Sequence, residues 1–165
     1  MKARNYRKIK SMPYTRRQYM GGVPGSKIVK FTMGAPNKEF SHTLELVNLK
    51  DGQIRHNALE SARIAANRML EGNLGRDNFF LKIIPYPHVI LREHKRLNVA
   101  QADRFQEGMA RAYGKPVGVA AAIKRGKPIL VAKVDTEGLA FAKEALKRAS
   151  DKFGLQCRIF IKKNN

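Results

Sequence analysis

The stretch His42–Gly72 reads HTLELVNLKDGQIRHNALESARIAANRMLEG, and its period changes partway. Leu44 and Leu46 alternate with polar neighbours over His42–Leu49, the two-residue repeat of a half-buried strand. Asp51-Gly52 supplies a turn. From Asn57 the apolar residues fall instead at Ala58, Ala62, Ala65, Ala66, Met69 and Leu70, one stripe along a helix. Asn57 with Glu60 three residues on has the form of a capping box, and Gly72 suits the C-terminal stop. Arg63 and Arg68 lie off the stripe and are expected to face solvent.

The same two periods recur on either side. Lys27–Met33 reads as a strand of mixed period. Phe79–Ile84 and His88–Arg92 read as strands, or as one strand bent at Pro85 and Pro87, because proline belongs at strand edges and breaks. Val117–Ile123 and Pro128–Val134 flank Lys124-Arg125-Gly126-Lys127, which predicts a hairpin with a basic tip. A second helix starts near Thr136 with the stripe Leu139, Ala142, Ala145, Leu146, Ala149 and Phe153, and Lys143, Lys147 and Lys152 lie elsewhere on its surface. Cys157–Ile161 closes as a strand whose alternation puts Cys157 in the core. Hairpins and helices do not alternate regularly, so the expected fold is α+β, two helices packed on a mixed or antiparallel sheet. The chain has 165 residues, which suits one such domain at 27–165 with a basic extension at 1–26.

Charge is the strongest functional signal. Thirty-three Lys and Arg against thirteen Asp and Glu leave +20. A body of this size carries that self-repulsion for a reason, and a polyanionic partner is the simplest one. Residues 1–38 hold ten Lys or Arg and no acid, residues 39–93 hold seven of each, and residues 94–133 hold nine basic and two acidic. The leading segment interleaves Arg4, Arg7, Lys8, Lys10, Arg16, Arg17 and Lys27 with Tyr6, Tyr14 and Tyr19. Cations neutralise phosphates and aromatic faces stack on unpaired bases, so the pattern suits RNA. The basic tip Lys124, Arg125 and Lys127 joins the same list. Glu93–Pro116 is long for a connection inside a compact domain and carries Lys95, Arg96, Arg104, Arg111 and Lys115. It reads as a mobile loop over 94–116 that reaches nucleic acid. The alternative is a packed helix in Ala102–Tyr113, where Phe105, Met109 and Ala112 share helical spacing.

Other classes fall away. One cysteine, Cys157, excludes a disulfide framework and a Cys-rich zinc site. The longest aliphatic run, near Val117–Ile123, is far short of the ~18 residues that a membrane span needs. Phosphate-loop, dinucleotide, HExxH and GxSxG motifs are missing. Gly22-Val23-Pro24-Gly25 and Gly72-Asn73-Leu74-Gly75 fit GxxG without joining two helices, so they read as turn and cap glycines. His42, His56, His88 and His94 share no ligand spacing, and no cofactor or metal is expected. Asp103 beside Arg104 could act on RNA, which would make the chain an RNA-modifying enzyme. No second acid or base accompanies it, so a local ion pair or helix cap reads better and no enzymatic activity is expected.

Ala102-Asp103-Arg104-Phe105-Gln106, then Gly108-Met109, then Gly114-Lys115-Pro116 resembles a signature of one large-ribosomal-subunit protein family. Its bacterial branch is called L-sixteen and its archaeal and eukaryotic branch L-ten-e; the archaeal type is the nearer likeness. Pro13-Tyr14 with Gly22-Val23-Pro24, the run Leu59–Arg68, and Pro85 through Ile90 agree in order. Gln101 stands where the family usually has Gly, and Arg111 lies one position later than its usual place. The resemblance implies a hammerhead-like α+β fold, a place in the cytoplasmic ribosome, and contact with large-subunit rRNA, tRNA and neighbouring ribosomal proteins. It implies a loop carrying Lys95, Arg96, Asp103, Arg104, Phe105, Gln106, Arg111 and Lys115 near the peptidyl transferase centre, with no catalytic residue, no small-molecule substrate and no membrane. The residues alone leave open an RNA-binding protein outside the ribosome.

Overall fold

The computed structural model describes residues 1–9, 12–94 and 114–164. Two antiparallel sheets and two helices make an α+β fold. Strands β1 (Thr32–Gly34), β2 (His42–Asn48), β4 (Phe79–Ile83), β7 (Pro128–Val134) and β8 (Cys157–Lys163) form one sheet in the order β1-β4-β7-β2-β8. Strands β3 (Gly52–Arg55), β5 (Val89–Glu93) and β6 (Lys115–Ile123) form the other in the order β3-β6-β5. Helices α1 (His56–Leu74) and α2 (Leu139–Phe153) pack on each other and against the sheets.

The chain passes between sheets four times, and the expected hairpin fails for that reason. β6 ends in the three-stranded sheet and β7 begins in the five-stranded one, so Lys124–Lys127 is a crossing turn. Gly126 donates to the Asn48 carbonyl at 2.8 Å, Asn48 donates to Lys127, and the Arg125 N–H reaches Asp51 at 2.6 Å, which seats the turn against the end of β2. Phe79–Ile83 and Val89–Glu93 are likewise two strands in different sheets, and the proline-interrupted stretch lies at the switch.

The first expected strand shrinks to Thr32–Gly34. Upstream, the backbone N–H groups serve side chains of α1: Lys27 donates to His56 Nδ1 at 3.2 Å and Val29 to Glu60 at 3.3 Å. Gly34 has φ +81, and a β-carbon there would collide with the Phe79 carbonyl, so this close approach of β1 to β4 requires glycine.

β3 runs straight into α1 at His56, with Arg55 extended and giving no side-chain cap. That overturns the capping box. Asn57 lies inside the helix, and Glu60 is turned to Arg63, whose Nε donates at 2.9 Å. Arg63 is therefore not a free outward cation: the pair is 14% exposed on each side. The buried stripe is His56, Leu59, Ala62, Ala66 and Leu70, rotated toward Leu59 so that Ala58, Ala65 and Met69 flank it. The helix runs past exposed Gly72 to Leu74, and Gly75, at φ +76, ends it.

The α2 stripe lies as expected, with Ala142, Ala145, Leu146, Ala149 and Phe153 buried and Leu139 flanking. Together with Leu44, Leu46, Leu81, Leu130 and Ile54 these residues form one continuous core between the helices and the sheets. β8 is an edge strand, so its alternation does not bury it fully: Cys157 and Ile159 are half-buried and Ile161 is exposed.

Candidate nucleic-acid interface

The three-stranded sheet has two unlike faces. Ile54, Ala121 and Ile123 join the main core. On the other side Val89, Leu91 and Ala120 make a small apolar island, covered by the leading segment through Met1 and Tyr6. The segment is tied to both edge strands. Gln53 of β3 donates to the Arg7 carbonyl at 2.9 Å, and Ile90 of β5 donates to the Tyr14 carbonyl at 2.8 Å. Two arginines of the sheet grip its tyrosines: Arg55 lies 5.7 Å from the Tyr6 ring centre and Arg92 lies 4.7 Å from Tyr14. Such contacts contribute about 0.5 to 2 kcal/mol each, more as they are desolvated.

These two arginines are the residues that the sequence reading missed. Tyr6 and Tyr14 signalled base stacking, and one face of each ring is met by Arg55 or Arg92. Tyr19 is 68% exposed, with Arg16 5.7 Å from its ring centre. A tyrosine with an arginine on a later strand has no local signature, so only the tertiary fold reveals the pairing.

Arg4, Lys8, Arg16, Arg17 and Lys27 are exposed, with Arg17 opening a short 3-10 turn, Arg17–Tyr19. Among the described residues no carboxylate lies within ion-pair distance of any of them. Arg7 differs. Its guanidinium is packed on Gly154, the left-handed cap of α2, where a β-carbon would collide with it. A cation at a helix C-terminus is favoured by the helix dipole, so Arg7 has a structural role of its own. Lys10 lies outside the described residues.

The other basic regions meet the same sheet. Glu93, at the end of β5, pairs with Lys115, at the start of β6, so the excursion 94–114 leaves and returns through neighbouring strands. Lys115 is exposed there. Lys95, Arg96, Asp103, Arg104, Phe105, Gln106 and Arg111 lie outside the described residues, as does the alternative helix. At the other end of β6, Ile123 pairs with Gly52, next to the Gln53–Arg7 tie. Lys124, Arg125 and Lys127 follow directly and are exposed. The leading segment, the two ends of the excursion and the crossing turn thus all attach to one small sheet.

The joint between segment and body is titratable. His56 is buried, and its pKa is lowered by that burial, then by Arg55 and Lys27. Its neutral Nδ1 accepts the Lys27 N–H. Glu60 is held below the usual carboxylate range by its hydrogen bonds from Arg63 and, to a lesser degree, from the Val29 N–H. No group of three or more metal-capable side chains occurs among the described residues. None of the described helices is long and apolar enough to cross a membrane.

An α+β body that surrounds one sheet with unmatched cations belongs to the class of basic proteins built to face a polyanion. More narrowly, the chain belongs to the family described as ribosomal protein L16p/L10e, whose model matches residues 9–160. It is a family of ribosomal proteins, not of enzymes. The chain is 49% identical over 160 residues to a protein of Staphylothermus marinus named large ribosomal subunit protein uL16, covering 97% of this chain and 92% of that one. Proteins of the same name from Hyperthermus butylicus and Methanococcus maripaludis are 47% and 45% identical. Those matches cover 90% and 98% of this chain and 83% and 93% of the relatives.

Proposed function

We propose that the chain is a structural constituent of the cytoplasmic large ribosomal subunit and that the three-stranded sheet, with the basic stretches around it, is its rRNA-binding face. The attachment of the leading segment, the crossing turn and both ends of the excursion to that sheet carries this reading. Arg4, Lys8, Lys10, Arg16, Arg17 and Lys27 on the leading segment, and Lys124, Arg125 and Lys127 on the crossing turn, neutralise phosphates. Such contacts position RNA without reading its sequence. The excursion, shortened from the expected 94–116 to 94–114 because Lys115 and Pro116 belong to β6, carries Lys95, Arg96, Asp103, Arg104, Phe105, Gln106 and Arg111, and with Lys115 at its return it supports tRNA near the aminoacyl and peptidyl sites. The body, charge-balanced over 39–93, holds these regions in place and meets neighbouring ribosomal proteins.

Two measurements test the reading. Affinity of the full chain for a large-subunit rRNA fragment should fall steeply with salt, with a log–log slope of about 0.7 to 0.9 per phosphate neutralised. Replacing Arg16 and Arg17 by Ala should flatten that slope by about one to two, and an unchanged slope would remove them from the interface. For the excursion, the Arg104→Ala/Lys115→Ala double variant should melt like the parent yet slow tRNA accommodation. Normal elongation with this variant would defeat the tRNA role.

A further inference from the structure

The far edge of the larger sheet is built differently from the basic face. α2 covers the centre of that sheet but does not reach across β8. Cys157, Ile159 and Ile161 pair with Asn48, Leu46 and Leu44 of β2, so they share the inward face, yet Ile161 remains 45% exposed. Between them and α2 lies a groove of about 700 Å³ with Leu46, Cys157, Ile159 and Ile161 as its floor. Lys143 and Lys147 on α2 form its rim, while the Arg158 guanidinium lies over Phe160 on the other face of β8, 5.8 Å from that ring centre. The one rim acid, Glu144, is held by Arg148. β8 ends its sheet, so its outer backbone edge has no strand partner among the described residues.

We propose that this groove receives an extended segment of a neighbouring protein that joins β8 as a further strand, with apolar side chains on the floor and carboxylates toward Lys143 and Lys147. An open strand edge supplies main-chain hydrogen bonds, and alternate side chains of the added strand fill the groove. The rim fixes the sign of the guest. A second copy of this chain is disfavoured, because pairing β8 with β8 would set Arg158, Lys162 and Lys163 against their own kind. RNA fits poorly, because the floor is aliphatic, offers no aromatic face to a base, and gains nothing from a phosphate laid over it. Phe160, the exposed aromatic of β8, points to the opposite face of the strand.

The proposal rests on subunit membership, and the test keeps the two apart. A photo-crosslinking residue is placed at Ile161 of the full chain, and separately at exposed Ala140 on the far wall, and large subunits are purified. Cosedimentation reports membership. Irradiation of the subunits should then give an adduct to a protein stretch bearing Asp or Glu beside apolar residues. The Lys143→Glu/Lys147→Glu variant should incorporate normally but lose adduct yield by about tenfold, the loss expected for removing attraction worth one decade of affinity. Subunits that contain the chain but give an RNA adduct, or no adduct from either position, overturn the groove alone. A chain that never sediments with subunits overturns the ribosomal reading and this proposal with it. An adduct that persists undiminished in the charge-reversed variant overturns the acidic character of the guest.

Discussion

The two sheets are closed by opposite means. The larger is sealed by α1 and α2 through aliphatic contact: Leu59, Leu70, Leu81, Leu130 and Leu146 are fully buried in one continuous core. The smaller is covered on its outer side by a polypeptide with no acid in it, held over an island of only Val89, Leu91 and Ala120 by backbone hydrogen bonds and arginine–tyrosine contacts. Apolar burial is indifferent to salt and pH over the working range. Polar and cation–π ties respond to both. The contrast teaches that the scaffold and the RNA-facing layer can differ in stability while sharing one sheet, because β3 and β6 place alternate residues on the two sides.

The largest expected effect breaks the scaffold. Leu146→Ala empties a fully buried position between α2 and the rest of the core. It should cost about 2 to 5 kcal/mol. For a chain of this size, about 2 to 4 °C of Tm per kcal/mol predicts a fall of roughly 4 to 20 °C, read by calorimetry. A smaller change would mean that the helical layer does not dominate stability.

The next effect should be local. Tyr6→Ala and Tyr14→Ala each remove one arginine contact, worth about 0.5 to 2 kcal/mol. Proteolysis within residues 1–26 should speed several-fold in each variant while the melting of the body barely moves. Tyr19→Ala is the control, since that exposed ring holds nothing down: it should leave proteolysis unchanged and weaken binding to single-stranded RNA. Equal loss of body and segment stability in the Tyr6 variant would erase the distinction between the two layers.

Much of the scaffold was legible because its signals are local. The stripe from Leu139 to Phe153 needed only helical periodicity, and Leu44 and Leu46 only alternation. The errors share a cause. Val117–Ile123 and Pro128–Val134 look like a hairpin because nothing local says that the chain changes sheets at Lys124. Asn57 and Glu60 look like a capping box because nothing local says that β3 runs straight into the helix or that the Val29 N–H reaches Glu60, although Arg63 three residues on was a local rival for that carboxylate. The basic stretches were legible one by one as charge. Their meeting around β6 was not, since antiparallel pairing of Glu93 with Lys115 and of Gly52 with Ile123 is a property of the fold. Cys157 looked like core because alternation cannot distinguish an edge strand from a central one. The thiol is only partly covered, and that burial already pushes its pKa up to about 11.

The smallest effect lies at the joint between the layers and should appear in a fixed order with pH. Two backbone groups of the linker are tied to α1, Lys27 through His56 and Val29 through Glu60. His56 has a folded pKa below its ordinary 6.5, chiefly from burial. On acidification the unfolded chain therefore binds this proton first, and His56's contribution, complete above 6.5, is lost as pH falls through 6.5 toward the lowered value. The proton occupies Nδ1, the acceptor of the Lys27 N–H, so that tie fails with it. Glu60 is depressed from 4.5, so its contribution is present above 4.5 and is lost only as pH falls below that toward the folded value. Hydrogen exchange corrected for intrinsic rates should therefore show Lys27 losing protection as pH falls below 6.5 while Val29 keeps it, and Val29 opening only under stronger acid. His56→Gln, whose side-chain carbonyl can accept the same bond without titrating, should abolish the first step and spare the second. Simultaneous opening of both amides, or a first step that survives in His56→Gln, would show that the joint gives way as part of the scaffold instead of by its own polar ties.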